Sequence, residues 1–272
     1  MKLIDTHCHI QDIGHHDKTN NTTKLWLKLN KTIDQVIEEA KKQGVFELIV
    51  VGCNLDESIW AVEMANKYPN VFSSIGIHPH EADKYVNRKD WIDKFQLLIK
   101  NPKVVAIGEC GLDFHYNYSQ QSNQLTILKE QIKLAKTSDK PIIFHVREAF
   151  DKFWEVLDKY NLEHQLRGLL HSFVGSQHDL EVALRNNLYI GINGIATFCR
   201  DNSLLDIYKK VPNRAIVLET DSPYLTPVPF RGMINTPKNV KQIARFLAEL
   251  RGQKVEHLAQ FSTENSQKLF AI

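Results

Sequence analysis

The chain has 272 residues, of which 43% are hydrophobic and 24% are charged, and its formal net charge at pH 7 is +2. This composition is typical of a globular protein that buries a sizeable core. The small net charge argues against a protein that holds nucleic acid by counterion release alone, so any nucleic-acid substrate must be bound locally.

The cysteine pattern and the lack of long apolar runs bear on the cellular compartment. Cys8, Cys53, Cys110 and Cys199 are widely spaced and form no Cys-x-x-Cys pair, which is typical of free thiols in a reducing cytosol. The chain begins almost directly with an apolar strand, which leaves no room for a secretory signal. No apolar run approaches the roughly 20 residues that cross a bilayer. We therefore expect a soluble, cytoplasmic protein with no membrane partner. A monomer is expected because no long exposed apolar helix suggests obligate assembly.

Eight short runs rich in apolar residues predict β-strands. These strands are predicted at about 2–9, 45–52, 71–78, 104–111, 141–146, 167–172, 188–194 and 215–221. Stretches of helical periodicity alternate with them, at about 32–40, 56–67, 90–100, 120–138, 148–160, 176–187, 202–210, 237–251 and 254–270. Repeated strand–helix alternation predicts an α/β fold, a parallel (β/α)8 or TIM barrel. No linker rich in Pro, Gly or Ser divides the chain, so residues 1–272 are expected to form a single domain.

Two predicted connections are long. Segment 10–24 is polar and irregular and includes His15 and His16, which we interpret as solvated loop residues, and segment 222–237 carries four prolines. Both follow the C-terminal ends of predicted strands, the face where barrels carry their active sites. We expect both segments to form walls of a substrate site.

Six side chains that commonly bind metals follow short apolar runs near the predicted strand ends. They are His7, His9, Glu109, His145, His171 and Asp221. Because strand ends meet at one rim of a closed parallel barrel, these side chains are expected to cluster. Four imidazoles and two carboxylates match the preference of a pair of divalent cations. Each residue alone has an ordinary structural explanation, but their joint occurrence favours a metal site.

The positions of these residues indicate which role each could have in binding metal ions or accepting a proton. His7 and His9 lie two residues apart in a strand and therefore share a face. Glu109 needs a cation or an arginine partner if it is buried, and it could bridge two cations roughly 3.5–4 Å apart. Asp221 could bind the first cation weakly and accept a proton from water, or it could cap the following turn. Glu219 could orient a histidine ligand.

Two further residues are candidate substrate contacts. His78 ends the third predicted strand and could contact the substrate or a leaving oxygen. Arg147 shares a face with His145 and could hold a phosphate bidentately. An ordinary surface ion pair of Arg147 with Glu148 or Asp151 remains an alternative.

Six ordered segments of the chain resemble the TatD family of metal-dependent deoxyribonucleases. They are Asp5-Thr6-His7-Cys8-His9, Gly76-Ile77-His78-Pro79-His80, Gly108-Glu109-Cys110-Gly111-Leu112-Asp113, Phe144-His145-Val146-Arg147-Glu148-Ala149, Leu170-His171-Ser172-Phe173 and Leu218-Glu219-Thr220-Asp221-Ser222-Pro223-Tyr224-Leu225. The resemblance covers essentially the whole chain and implies a TIM barrel with two divalent metal ions. By that resemblance, one metal is surrounded by His7, His9, Glu109 and Asp221, and the other by Glu109, His145 and His171.

Three functional hypotheses follow. The leading one is a deoxyribonuclease that cleaves DNA phosphodiesters from the 3′ end, on single-stranded or frayed ends, with water activated by two ions of Mg, Mn or Zn. The second is an amide or ester hydrolase such as a D-aminoacyl-tRNA deacylase. Many such amidohydrolases bridge their metals with a carboxylated lysine on the fourth strand, where this chain has Glu109. The third is a non-catalytic nucleic-acid-binding protein with a structural metal, which the absence of cysteine from the donor set disfavours.

Overall fold

A computed structural model describes residues 1–14, 21–88, 90–160 and 166–272. Eight strands form one sheet in chain order, and every neighbouring pair is parallel. They are β1 (Leu3–Cys8), β2 (Val45–Val51), β3 (Val71–Ile75), β4 (Val104–Asp113), β5 (Ile142–Arg147), β6 (Gly168–His171), β7 (Tyr189–Ile192) and β8 (Ile216–Leu218). A parallel bridge between Cys8 and Ser222 joins the first strand to the segment after the last and closes the barrel. The predicted TIM barrel is confirmed.

Helices follow the strands around the outside of the barrel. The described α-helices are α1 (Asn21–Leu29), α2 (Ile33–Lys42), α3 (Leu55–Lys67), α4 (Ala82–Tyr85), α5 (Asp90–Leu98), α6 (Gln121–Ser138), α7 (Phe150–Tyr160), α8 (Gln177–Arg185), α9 (Ile195–Phe198), α10 (Asn202–Lys210), α11 (Val240–Leu250) and α12 (Val255–Phe270). Short 3-10 turns lie at Ile10–Asp12, Pro79–Glu81, Asn213–Ala215 and Pro237–Asn239. None of the helices described here has the length and apolar character needed to cross a membrane.

An apolar plug fills the end of the barrel where the strands begin. Leu269 and Phe270, at the end of α12, are buried in a cluster with Ile49, Ile143 and Val217 of the strands. This cluster is distinct from the larger core between the strands and the surrounding helices. Since apolar side chains occupy this end, the buried polar side chains gather towards the ends at which the strands finish.

Several strands end at residues other than those predicted. β3 ends at Ile75 instead of 78, because the N–H groups of the next two residues donate to the side chains of Ser58 (3.2 Å) and Gln131 (2.8 Å). His78 then caps the 3-10 turn Pro79–Glu81. β8 ends at Leu218 instead of 221, and Asp221 adopts a left-handed backbone with φ of 57°. His78 and Asp221 therefore lie in the connections that follow their strands.

Two other strands also differ from the prediction. β7 ends at Ile192 instead of 194. β4 continues to Asp113 instead of ending at 111, and all ten of its residues are buried. Glu109 therefore lies four residues before the end of its strand.

The prediction that segment 10–24 is irregular was wrong for residues 21–24. Helix α1 begins at Asn21, where a run of polar residues concealed the helical pattern. Thr23 and Trp26 lie one turn apart and are both buried. The Trp26 indole N–H donates to the His9 carbonyl (2.9 Å), so this helix packs directly against the first pair of histidines.

Other short elements were also missed. Helices α4 and α9 have four residues each, too few for a helical pattern to stand out in the sequence. The predicted helix 237–251 begins as a 3-10 turn, and its α-helical part starts only at Val240. His15 and His16, predicted to be solvated, lie outside the described residues.

Candidate metal centre

Glu109 lies at the centre of a group of imidazoles in the mouth of the barrel. Its Oε2 is 3.3 Å from Nε2 of His7, and its Oε1 is 2.8 Å from Nδ1 of His145. Oε1 also lies 3.7 Å from Nε2 of His171 and 3.7 Å from Nε2 of His78. The Glu109 side chain is only 5% exposed. One nearly buried carboxylate thus faces four imidazoles, and none of these contacts is the salt bridge to an arginine considered from the sequence.

Glycines in β4 allow this close approach to β5. A Cβ on Gly108 would lie 2.4 Å from the Ile143 carbonyl oxygen, and one on Gly111 would lie 1.8 Å from the His145 carbonyl oxygen. Real side chains do not tolerate such contacts, so both positions require glycine unless β5 moves. The two strands can therefore pack tightly enough to bring Glu109 and His145 into contact.

Asp221, His7 of β1 and His9 directly after β1 form the other side of the cluster. The Nε2 atoms of His7 and His9 are 3.2 Å apart, which agrees with the prediction that both rings share one face. Asp221 Oδ1 lies 3.4 Å from Nε2 of His9 and 3.7 Å from Nε2 of His7. The Asp221 side chain is 15% exposed, so this carboxylate stands on the open side of the cluster.

Contacts behind the rings fix which nitrogen faces the cluster. His9 Nδ1 lies 3.1 Å from the Val51 carbonyl oxygen and can only donate to it, so in the neutral ring the lone pair is on Nε2, which faces the cluster. His171 Nδ1 lies 2.9 Å from Oε1 of Glu219, whose side chain is fully buried. Such contacts are the usual means of orienting metal-ligating histidines. The position of Glu219 agrees with the orienting role expected from the sequence.

The spacing of the donor atoms fits divalent cations. Ligands held about 2.0–2.2 Å from a cation lie within roughly 4.4 Å of one another. Nε2 of His7, Nε2 of His9 and Oδ1 of Asp221 meet this limit, at 3.2–3.7 Å from one another. Within a wider limit of 4.8 Å, the groups of three donors are His7–Glu109–His171, His7–His9–Asp221, His9–Cys53–Glu109 and His78–Glu109–His145. All six candidate ligands belong to at least one group. Glu109 belongs to three of them, as a bridging ligand would.

The grouping differs in one respect from what the family resemblance implied. His145 and His171 were expected to share a metal with Glu109. Each contacts Glu109, but their ring centroids are 6.4 Å apart, and no described group of three contains both. His78, expected to contact substrate, instead forms a group with Glu109 and His145.

Three residues of the site had no assigned role in the sequence. Cys53 Sγ lies 3.7 Å from Oε2 of Glu109. Asp113 Oδ2 lies 3.1 Å from Nε2 of His80 and 3.0 Å from Nε2 of His145. Their positions in the sequence could have identified two of them. Cys53 follows β2 closely, and Asp113 lies an even number of residues from Glu109 along β4, which places both side chains on the same face of the strand.

The charges of the cluster keep its carboxylates ionised. Burial raises the pKa of Asp221, but the His9 hydrogen bond and the charges of His171 and His7 outweigh burial and lower it. Burial likewise opposes ionisation of Glu109, yet the charges of His7 and His171 hold its pKa well below the usual value. Burial lowers the pKa of His9, but the hydrogen bond and charge of Asp221 raise it to about 9. Buried carboxylates that stay ionised attract cations.

His78 differs from its neighbours because burial dominates its titration. Burial lowers the pKa of His78 well below the usual value, although the charge of Glu109 acts in the opposite direction. His78 Nδ1 accepts the His80 N–H, so the single proton of the neutral ring belongs on Nε2. A neutral N–H donor therefore faces the cluster beside Glu109.

The Arg147 side chain lies over an aromatic ring. Its guanidinium carbon is 4.6 Å from the centroid of the Tyr116 ring, a cation–π distance. Glu148, one of the two acids considered as a partner for Arg147, lies 2.6 Å from Nδ1 of His115 instead. Among the described residues, no acid lies within ion-pair distance of Arg147.

A (β/α)8 barrel with imidazoles and carboxylates gathered at one rim is the arrangement expected of a metal-dependent hydrolase. Residues 4–271 match the family model described as TatD related DNase. The chain belongs to this family, as the resemblance of its six segments implied, and it is an enzyme.

Named relatives and solved structures agree with this assignment. The chain is 35% identical over 271 residues to YabD of Bacillus subtilis, called an uncharacterized metal-dependent hydrolase, with 99% of each chain covered. It is 34% identical over 247 residues to the 3'-5' ssDNA/RNA exonuclease TatD of Citrobacter rodentium, which covers 89% of this chain and 93% of that protein. The crystal structure of YjjV, a TatD homologue of Escherichia coli, is 28% identical with a TM-score of 0.86, covering 99% of this chain and 98% of the other.

Proposed function

We propose that the protein is a 3′–5′ exonuclease that hydrolyses phosphodiesters of single-stranded DNA with the help of two divalent metal ions. The observation that carries this proposal is the contact of Glu109 with four imidazoles, with Asp221 on the open side of the cluster. Relatives named as 3'-5' ssDNA/RNA exonucleases, at 34% and 35% identity, support the choice of substrate.

Six residues are proposed to hold the metal ions. Glu109 contacts both sides of the cluster and would bridge the two ions; the other ligands would be His7, His9, His145, His171 and Asp221. Imidazole and carboxylate together suit zinc or manganese, and the carboxylates also accept magnesium. A divalent pair supplies Lewis acidity, which makes water more acidic and offsets negative charge on phosphoryl oxygens.

The protein's own residues would orient the water and the substrate. Asp221 is ionised and stands on the open side of the cluster, so it can accept a proton from the attacking water. The Nε2–H of neutral His78 can donate a hydrogen bond, without giving up its proton, to a phosphoryl or leaving oxygen. Arg147, at the same mouth of the barrel, can hold a neighbouring phosphate.

The alternative of an amide or ester hydrolase keeps the same site and changes only the substrate. Nothing in the donor set excludes attack on a carbonyl. The bridging position is occupied by Glu109 and not by a lysine, which favours the nuclease over the amidohydrolase type. The non-catalytic alternative is set aside, because the chain belongs to a family of hydrolases.

A substrate panel tests the proposal. Labelled single-stranded DNA, duplex DNA, RNA and a D-aminoacyl-tRNA are incubated with the enzyme under Mg²⁺, Mn²⁺ and Zn²⁺. We expect stepwise shortening of single-stranded DNA from its 3′ end, and no shortening when that end is blocked. Preferential release of the amino acid from the aminoacyl-tRNA, with intact DNA, would replace the proposal with the deacylase.

Other expectations of the sequence remain proposals. We propose that residues 1–272 form one domain, that the protein acts as a monomer, and that it works in the cytoplasm. Size-exclusion chromatography with light scattering tests the second of these, since a dimer would double the measured mass.

A further inference from the structure

We propose that Tyr116 and Tyr118 form a stacking surface, here called the aromatic ledge, for bases of the substrate strand next to the scissile phosphate. The ledge deepens the proposed function, on which it rests, because it selects strands whose bases are unpaired. Such bases expose their faces and stack on aromatic side chains, whereas bases in a duplex do not.

The two rings are already arranged as a stack. Their centroids are 5.4 Å apart and their planes are 18° from parallel. Tyr116 is 46% exposed and Tyr118 is 68% exposed, the highest value of any large apolar side chain among the described residues. Water-exposed aromatic rings that stack on each other provide a flat apolar surface that a base can extend.

The ledge adjoins the metal centre. The His80 ring lies edge-on to both tyrosines, at centroid distances of 5.6 Å from Tyr116 and 4.8 Å from Tyr118. His80 in turn contacts Asp113, whose Oδ2 is 3.0 Å from Nε2 of the candidate ligand His145. A phosphodiester held at the metal centre therefore has its adjoining base within reach of the ledge.

Arg147 adds a positive charge at this position. Its guanidinium lies over the Tyr116 ring, and no described acid is within ion-pair distance of it. Guanidinium groups bind phosphate through paired N–H donors and also stack on aromatic planes. The ledge therefore combines a surface for a base with a group for the phosphate attached to it, as expected of a strand-binding site.

The loop that carries the ledge is held in place from below. Asp113 Oδ1 accepts the backbone N–H of Tyr116 (2.9 Å). The Ser119 hydroxyl donates to the His80 carbonyl (2.8 Å), and Gln124 Nε2 donates to the Ser119 carbonyl (2.8 Å). Since these contacts fix both ends of the loop, little ordering entropy is lost when a base stacks on it.

The experiment compares two single-stranded oligonucleotides that differ only in whether the last three 3′ nucleotides carry bases or are abasic. Hydrolysis is measured as kcat/KM with the metal-loaded enzyme, and binding is measured separately with phosphorothioate versions that resist cleavage. Stacking contributes roughly tenfold in affinity per base. We expect the wild type to prefer the strand with bases by about tenfold or more in both measurements.

Three variants decide whether the ledge causes this preference. The Tyr116→Ala/Tyr118→Ala double variant should abolish the preference, measured as the ratio between the two strands. Any loss of the Tyr116 contact with Arg147 affects both strands and cancels in that ratio. Replacing both tyrosines with Phe should retain the preference, because the ring faces remain. Phe46→Ala, at an exposed aromatic residue where β2 begins, is the matched control and should also retain it.

Failure of the ledge and failure of the proposed function give different results. Equal cleavage and binding of the two strands by the wild type, or an unchanged preference in the double alanine variant, would overturn the ledge. If neither strand is cleaved, the proposed exonuclease activity would be overturned. The binding measurement alone would then decide the ledge, since it does not depend on hydrolysis.

Discussion

The two carboxylates that face the imidazoles differ in their surroundings. The Glu109 side chain is 5% exposed and contacts four rings, whereas the Asp221 side chain is 15% exposed and contacts Nε2 atoms from one side only. A carboxylate enclosed by donors suits the bridging of two cations. One at the open side can still reach water and substrate. The proposed roles, Glu109 as the bridging ligand and Asp221 as the proton acceptor, follow from this difference in exposure to solvent.

Asp221→Asn tests the role of Asp221 as a proton acceptor. The amide keeps the size of the side chain but cannot accept the proton in the same way, so kcat should fall by about 10²–10⁴-fold. The melting temperature should stay close to that of the wild type. The control is Asp93→Asn on α5, which is exposed and distant from the site. Turnover near the wild-type rate in Asp221→Asn would contradict the assignment.

Glu219→Gln tests whether the buried carboxylate orients His171. The oxygen 2.9 Å from His171 Nδ1 would become part of a neutral amide, which holds the ring less firmly. Loss of such a contact typically weakens metal affinity by about 10–100-fold. A metal titration with a competing chelator measures the change, with the exposed Glu249→Gln as its control. Unchanged metal affinity would mean that the Glu219 carboxylate has only a structural role.

The packing of β4 against β5 determines whether the donors meet. Gly111→Ala would put a methyl group 1.8 Å from the His145 carbonyl oxygen, which forces β5 and its histidine away from Glu109. We expect lower metal affinity and a loss of stability of about 1–3 kcal/mol, measured by thermal unfolding.

Gly252→Ala is the matched control for this strand variant. Gly252 has a positive φ of 61°, but a Cβ there would meet no atom within 4 Å. The substitution should destabilise the fold by about 1 kcal/mol through backbone strain and leave metal binding unchanged. Equal metal affinity in Gly111→Ala and Gly252→Ala would show that strand spacing does not control the site.

The order and type of the main elements could be predicted because they depend on local patterns. Apolar runs and helical periodicity gave all eight strands and the long helices that follow them. The strand ends could not be predicted, because they depend on neighbours distant in sequence. Asp221, for example, donates its N–H to the His7 carbonyl although it lies beyond β8. Helix α1 was missed because its polar first turn gives no helical signal. The contact of Trp26 with the His9 carbonyl, which holds the helix in place, cannot be seen in a local pattern.

The composition of the site was easier to predict than its contacts. Residue types and their positions after apolar runs were enough to select all six candidate ligands, which the barrel brings together. Which rings share a group depends on side-chain rotamers and on residues such as Asp113, which contacts His80 and His145 at once. No local pattern contains that information. The aromatic ledge was missed for the same reason.

Across the whole cluster, metal binding should be linked to proton release. The pKa of His9 is raised to about 9, chiefly because Asp221 outweighs burial, and that of His145 is raised to about 9 by Asp113 and Glu109 against burial. Both rings are therefore protonated at neutral pH in protein stripped of metal. A cation requires neutral imidazole, so binding must displace these protons. Affinity should then rise as pH increases towards about 9.

Isothermal titration of the stripped protein measures this release. The apparent enthalpy of metal binding at pH 7 should change between two buffers of different ionisation enthalpy. The difference should shrink as the pH approaches about 9, where the rings are losing their protons before the cation arrives. An enthalpy that is independent of buffer at pH 7 would contradict the proposed charge state.

The most direct test is to count the metal ions that hydrolysis requires. Elemental analysis of the purified enzyme is paired with an assay of 3′ shortening of single-stranded DNA before chelation, after chelation and after stepwise return of one cation. We predict two equivalents per chain, complete loss of activity in the stripped enzyme, and full recovery only at the second equivalent. Full activity in stripped protein, or recovery complete at one equivalent, would contradict a centre in which Glu109 bridges two cations.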